Sequence, residues 1–253
     1  KAVNLNGDYL YTGSHNGDFI IRNEEGKAIS QFYGYVVDGI FQNKTEVTSY
    51  TNEHGTAMQP NAQPGDFRYK DLNHDGVINE KDKTYIGNPF PDLMLGVNLN
   101  ASYHRWDVQA QFYGTFGNDI YNLNRERYFG QNGSNVMAGT LDKAWHGEGT
   151  TNEYPRLSVN DANQNYTRPS SYFVEDGSYF RCKLLQIGYT IPESVLHLCS
   201  VRLSLSAQNL FTITKYSGMD PETASMGGVT QAGIDWTGYP NPRTILFGVN
   251  VNF

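Results

Sequence analysis

The last ten residues read TILFGVNVNF, and their apolar members return at every second position. Ile245, Phe247, Val249, Val251 and Phe253 fall on one side, Leu246, Gly248, Asn250 and Asn252 on the other. A period of two is that of a β-strand, whose successive side chains point to opposite faces. The same alternation runs through LMLGVNLNASYH (93–104), WDVQAQFYGTF (106–116) and VRLSLSAQ (201–208). It is less clean in the first half of YFRCKLLQIGYTI (179–191). Five strands, each with one apolar and one polar face, restrict the chain to an antiparallel all-β architecture whose two faces meet unlike surroundings.

The connections narrow this further. A very tight turn follows His104, a long polar stretch spans 122–177, a short link runs over 192–200, and a second long loop spans 217–240. Short turns at one end and long loops at the other suit a transmembrane barrel. A soluble β-sandwich also alternates, but here the polar faces hold Asn, Gln and Ser and little Lys or Glu, as a wet lumen would. Aromatic residues gather near the strand ends (Tyr103, Trp106, Phe116, Tyr121, Tyr189, Phe211, Phe253), where membrane girdles sit. No run approaches the roughly 18 apolar residues of a membrane helix, and no signal segment opens the chain at Lys1. A net charge of −7 argues against nucleic-acid partners.

The two cysteines, Cys182 and Cys199, form no metal or redox pattern. On the hairpin geometry they lie about nine residues apart along a strand, roughly 30 Å, far beyond the ~7 Å reach of a disulfide. Both are expected to be free thiols.

Several blocks, in order, carry a resemblance: YGYVVDGIFQ (33–42), GDFRYKDLNHDGVINEKDKTYIGNPFPD (65–92), QFYGTFGNDIYN (111–122), YFRCKLLQIGYTIP (179–192), AQNLFTITKYSGMDPE (207–222) and the terminal strand. Together they resemble the C-terminal part of the SusC/RagA-like TonB-dependent outer-membrane transporters. The resemblance implies a plugged barrel of about 22 strands, of which this chain would hold the C-terminal strands (92–253), preceded by an extracellular loop region (1–91). It places the protein in the outer membrane of a Gram-negative bacterium, long loops extracellular and the C-terminus periplasmic. It implies as partners the remaining barrel and plug, the lipid bilayer, TonB through an upstream segment, and a SusD-like surface lipoprotein acting as a lid. The process would be import of glycans or peptides, without enzymatic chemistry. A passive porin or adhesin barrel is one alternative, and a secreted carbohydrate-binding module another.

Residues 71–82, DLNHDGVINEKD, match a calcium-type loop. Asp71, Asn73 and Asp75 would supply side-chain oxygens, Val77 a backbone carbonyl, Asn79 a contact through water, and Asp82 the twelfth position, with Gly76 at the sharp turn. Ile78 would pack inward. Asp82 stands where EF-hands usually have Glu, which resembles dockerin-type loops. A structural Ca2+ here would clip a long loop. An Asx-rich turn without an ion is the competing reading. Trp145, Trp236 and Tyr239 lie in the long loops, where their rings are candidates for stacking on a sugar substrate, or for packing. The six histidines are scattered, and no nucleophile, P-loop or zinc-protease pattern occurs.

Overall fold

The computed structural model describes residues 9–128, 135–222 and 228–253. Its strands are β1 (Leu10–His15), β2 (Asp18–Asn23), β3 (Phe32–Gly34), β4 (Val37–Ile40), β5 (Phe67–Tyr69), β6 (Thr84–Gly87), β7 (Leu93–Tyr103), β8 (Trp106–Phe116), β9 (Asp119–Asn122), β10 (Val174–Asp176), β11 (Tyr179–Ile191), β12 (Ser200–Thr214), β13 (Ile234–Asp235) and β14 (Thr244–Asn252). They divide between two compact units.

One unit comprises Phe90–Asn118, Asp176–Thr223 and Gly238–Phe253. It is a five-stranded antiparallel sheet in the order β14-β12-β11-β8-β7, built from the five segments whose alternation is legible in the sequence. The register aligns like with like. Leu99, Ala110, Leu185, Ala207 and Ile245 form one apolar row, and Asn100, Gln109, Gln186, Ser206 and Leu246 the neighbouring row. The apolar side chains stay exposed, Leu99 by 56%, Val249 by 57% and Phe247 by 71%. Such a continuous apolar face exceeds what a water-soluble monomer tolerates and suits contact with lipid. The sheet is a section of a transmembrane barrel wall.

The irregular first half of 179–191 has a local cause. Pairing of β11 with both neighbours shifts between Cys182 and Leu184: against β8 Lys183 is an extra, bulged residue, whereas against β12 it faces two residues, Asn209 and Leu210, with Asn209 left-handed at φ 50°. A bulge places two residues against one and re-aims the strand. Without it, Leu185, Ile187 and Tyr189 would face the polar side. On that side Arg202 and Asp107 pair through two hydrogen bonds of 3.1 and 2.5 Å, spanning β11 at Gly188. A Cβ on Gly188 would collide with both partners. Cys182 and Cys199 are both free.

The other unit draws on Lys1–Pro89, Asp119–Glu175 and Ala224–Thr237. Stretches expected as loops therefore contain a folded body with its own core. Asn16 and Gly17, at φ 52° and 89°, form the tight turn joining β1 to β2, and these strands continue into the sheet β1-β2-β3-β6. The core is largely aromatic: Phe32, Tyr35, Phe67, Tyr69, Tyr121, Tyr166 and Phe173 pack with Ile20, Ile21 and Ile40. Strand β5 pairs with β4 on one edge. Its other edge is satisfied by side chains: Gln59 bonds Phe67 O (3.0 Å) and Tyr69 N (2.8 Å), and Asn165 Oδ1 accepts from Phe67 N (2.9 Å). Amide side chains there do the work of a neighbouring strand.

Candidate functional site

The loop 71–82 is a web of Asx turns closed by a capping box. Gly76 N donates to Asp71 Oδ2 (2.8 Å), Asp75 N to Asn73 Oδ1 (3.0 Å) and Val77 N to Asp75 Oδ1 (3.0 Å). Asn79 caps the turn Glu80–Asp82, and Asp82 bonds back to the Asn79 N–H. Gly76 sits at φ 77°, and a Cβ there would meet Asn52, so the sixth position tolerates little besides glycine. Ile78 is half-buried against the aromatic core, as the twelve-residue pattern requires.

The expected ligand oxygens differ in how far they are committed. Asp82 is fully buried, and its carboxylate accepts from Leu72 N (2.9 Å) and Asn79 N (2.7 Å). The Nδ2 of Asn73 donates to Asp75 Oδ2 (2.9 Å), and that of Asn79 to Val77 O (3.1 Å). These two amide groups supply the partial positive charge that a cation would supply. The Asn73 hydrogen bond leads the causes that hold the Asp75 carboxyl below its ordinary range, followed by the Val77 N–H and Asn79. Asp71 Oδ1 is buried and has no hydrogen-bond partner. A hollow of about 320 Å³ beside it is lined by Asp71, Asp75, His54 and His74. Among the described residues, no three Asp, Glu, His or Cys side chains converge as a metal-binding group. The donors thus fit a hard cation in part: Asp71 has an oxygen to offer, Asn73, Asp75, Val77 and Asn79 would exchange amide contacts for an ion, and Asp82 is held by backbone.

The three aromatic candidates stand in different surroundings. Trp145 is half-buried, its ring against Gly65 and its Nε1 donating to Gln42 Oε1 (3.2 Å). Trp236 is half-buried beside the core and lines an apolar cavity of about 240 Å³ with Leu123 and Ile234. Tyr239 is 92% exposed and belongs to the sheet-containing unit.

A larger cleft carries no motif in the sequence. It encloses about 550 Å³ between Asp38, Phe67, Arg125, Asn152, Tyr172 and Glu175, within the usual range of ligand sites. Arg125 pairs with Glu175 (3.2 Å), donates to the Tyr172 carbonyl and lies 4.5 Å from the Tyr172 ring centre. Its residues are scattered from 38 to 175, so no spacing announces them. The nearest signal is a second Asx-rich stretch, Asp161–Thr167, whose amides hold Phe67, part of the cleft lining, in place.

Comparison with known proteins places this geometry. No family model matches the chain. It is 35% identical over 267 residues to TonB-dependent receptor P3 of Formosa agariphila, covering 100% of this chain and 25% of that protein. It is 31% identical to TonB-dependent receptor P26 of the same organism, covering 95% and 24%. Against TonB-dependent receptor SusC of Bacteroides thetaiotaomicron it is 24% identical, covering 94% and 21%. The chain thus spans about a quarter of the length of these curated relatives. Among solved structures, the RagAB peptide transporter superposes with a TM-score of 0.65 at 21% identity, over 92% of this chain and 24% of that one. That likeness is one of fold.

Proposed function

This chain is a portion of a SusC/RagA-like TonB-dependent receptor, and on that premise we propose that it serves, with the rest of the barrel and its plug, in importing oligosaccharides or peptides. The observation that carries the reading is the five-strand register, which sorts most exposed apolar side chains to one face and the Asn, Gln and Ser side chains to the other, Met94 and Leu246 excepted. A lipid-facing exterior and a wet interior need that sorting along every strand. The relatives named above are receptors, not enzymes. The proposal includes a SusD-like surface lipoprotein docking over the long-loop end, energy coupling through TonB, extracellular loops and a periplasmic C-terminus. Trp145, Trp236 and Tyr239 remain candidate substrate contacts, of which Tyr239 alone presents an open ring.

The test uses the complete receptor. Extracted from outer membranes, it should need detergent, show heat-modifiable migration, and bring down a surface lipoprotein. Deleting its gene should abolish growth on either oligosaccharides or peptides as carbon source, which also separates the two substrate classes. A receptor soluble without detergent, or unaltered growth on both, defeats the proposal.

The loop 71–82 is proposed to hold a structural Ca2+ through Asp71, Asn73, Asp75 and Val77, with Asn79 contributing through water and Asp82 fixing the loop end. What supports this is the unpartnered Asp71 Oδ1 and the amide-for-cation arrangement. The ion would supply charge neutralisation and loop stiffening, not chemistry.

A further inference from the structure

Residues 216–222 cover one end of the polar face of the sheet, and their ion pairs converge on a single buried guanidinium. Arg181 lies on that face of β11, level with Tyr113 and Thr212, and is 3% exposed. Its Nε donates to Thr212 Oγ1 (2.8 Å), Nη1 to Glu222 Oε2 (2.7 Å) and Nη2 to Asp220 Oδ1 (2.5 Å). Lys183, the bulged residue, adds a second cation and reaches Glu222 at 2.5 Å. Asp220 Oδ2 accepts from Asn241 N (2.8 Å), which ties in the chain just ahead of β14. Tyr216, Asp220 and Pro221 are buried.

Both carboxylates that neutralise Arg181 come from the covering segment. Among the described residues the strands offer its guanidinium the Thr212 hydroxyl and, 5.5 Å away, the ring of Tyr179. A guanidinium removed from water is tolerated only when paired, and stripping its partners costs far more than the pair contributes over an apolar substitute. Lifting the segment therefore breaks three ion pairs at once, Arg181 with Asp220 and Glu222 and Lys183 with Glu222. The bulge serves the same end by adding a polar-side position for Lys183 without disturbing the apolar alternation downstream.

We propose that residues 216–222 are a strap latched to the polar face of the barrel wall by Arg181, and that releasing the latch frees the strap while leaving the wall intact. Under the transporter reading, on which this inference rests, that face lines the lumen. The latch then sets how much of the lumen is open at the long-loop end.

The experiment uses the complete receptor in outer membranes, with chymotryptic cleavage after Tyr216 as the readout and heat-modifiable migration as the check on the barrel. Arg181→Met should raise the cleavage rate by at least about tenfold, since cleavage follows the population of the open form. Lys183→Met, which removes only the outer cation, should raise it by roughly two- to threefold. Unchanged cleavage in Arg181→Met with the barrel intact overturns the latch. If Arg181→Met loses the barrel, Glu222→Gln decides: faster cleavage with an intact barrel upholds the strap, and unchanged cleavage overturns it. Failure of the transporter reading would register separately, as a wild-type receptor without heat-modifiable migration.

Discussion

Two Asx-rich loops in the same folded unit begin alike and end differently. In each, the first Asp accepts from the N–H five residues on: Gly76 to Asp71 at 2.8 Å, Tyr166 to Asp161 at 2.9 Å. In each, the fourth residue is left-handed, His74 at φ 60° and Gln164 at φ 59°. They part at the sixth position, where one loop needs the left-handed Gly76 and the other runs on with Tyr166. In the second loop protein donors reach the oxygens: Asn163 Oδ1 takes Gln59 Nε2 (2.9 Å) and Asn165 Oδ1 takes Phe67 N (2.9 Å). In the first, the exposed oxygens of Asn73 and Asp75 find only their own loop. Packing, not the Asx pattern, decides whether such a loop has oxygens left for an ion.

The largest effect should come from Asp161→Ala. Its carboxylate holds the N–H groups of Asn165 (2.7 Å) and Tyr166 (2.9 Å), and stranding buried donors costs about 1–3 kcal/mol each. A loss of roughly 3 kcal/mol corresponds to about 100-fold faster amide exchange at Phe67 and Tyr69 in the detergent-solubilised receptor. Calcium should make no difference to it. Exchange unaltered at β5 would show that the amide clamp does not hold that strand.

Gly76→Ala should rank second. The φ of 77° and the approach of Asn52 make any Cβ strained, at a cost of about 1–2 kcal/mol. Exchange across 71–79 should quicken about tenfold, with β5 unaffected. The opposite pattern, β5 loosening with 71–79 unchanged, would erase the distinction between the loops.

What the sequence makes legible depends on where each signal lives. Strand alternation is local, so five strands and their polar and apolar faces could be read directly. The broken phase in YFRCKLLQIGYTI was visible too, and its cause, a bulge at Lys183, is what a one-residue slip between two alternating halves means. The second unit was not legible as a folded body. Its core joins Ile20 to Ile234 across three separate stretches, and long-range packing of that kind leaves no periodicity. The cleft around Arg125 leaves no spacing in the sequence for the same reason. The loop 71–82 was legible as a pattern, but Asp82 turning both oxygens to backbone N–H groups depends on geometry that spacing does not encode. Trp145 looks in the sequence like an exposed loop aromatic, yet its indole is tied to Gln42.

Asp75→Ala sharpens the comparison more gently. In chelator, a non-specific protease should cleave the variant within 71–82 somewhat faster than the wild type, because Asp75→Ala removes the contacts to Val77 N and Asn73 Nδ2. Added Ca2+ should slow cleavage of the wild type severalfold and leave the variant unchanged. A wild-type loop indifferent to calcium would reduce it to an Asx web like its counterpart.

The smallest effect should be that of pH on the first loop without calcium. Asp75 is depressed by the Asn73 amide above all, with help from the Val77 N–H, Asn79 and Lys81. A carboxyl lowered on folding contributes stability that is fully present above its unfolded value, about 3.9, and is lost as pH falls through the folded value. Exchange at 73–79 should therefore be flat from neutral pH down to about 5 and quicken only below about 4, once the intrinsic pH dependence of exchange is removed. Asp75→Asn should abolish that acid step, because an amide side chain has no proton to gain. A step that persists in Asp75→Asn would assign the acid sensitivity elsewhere in the loop.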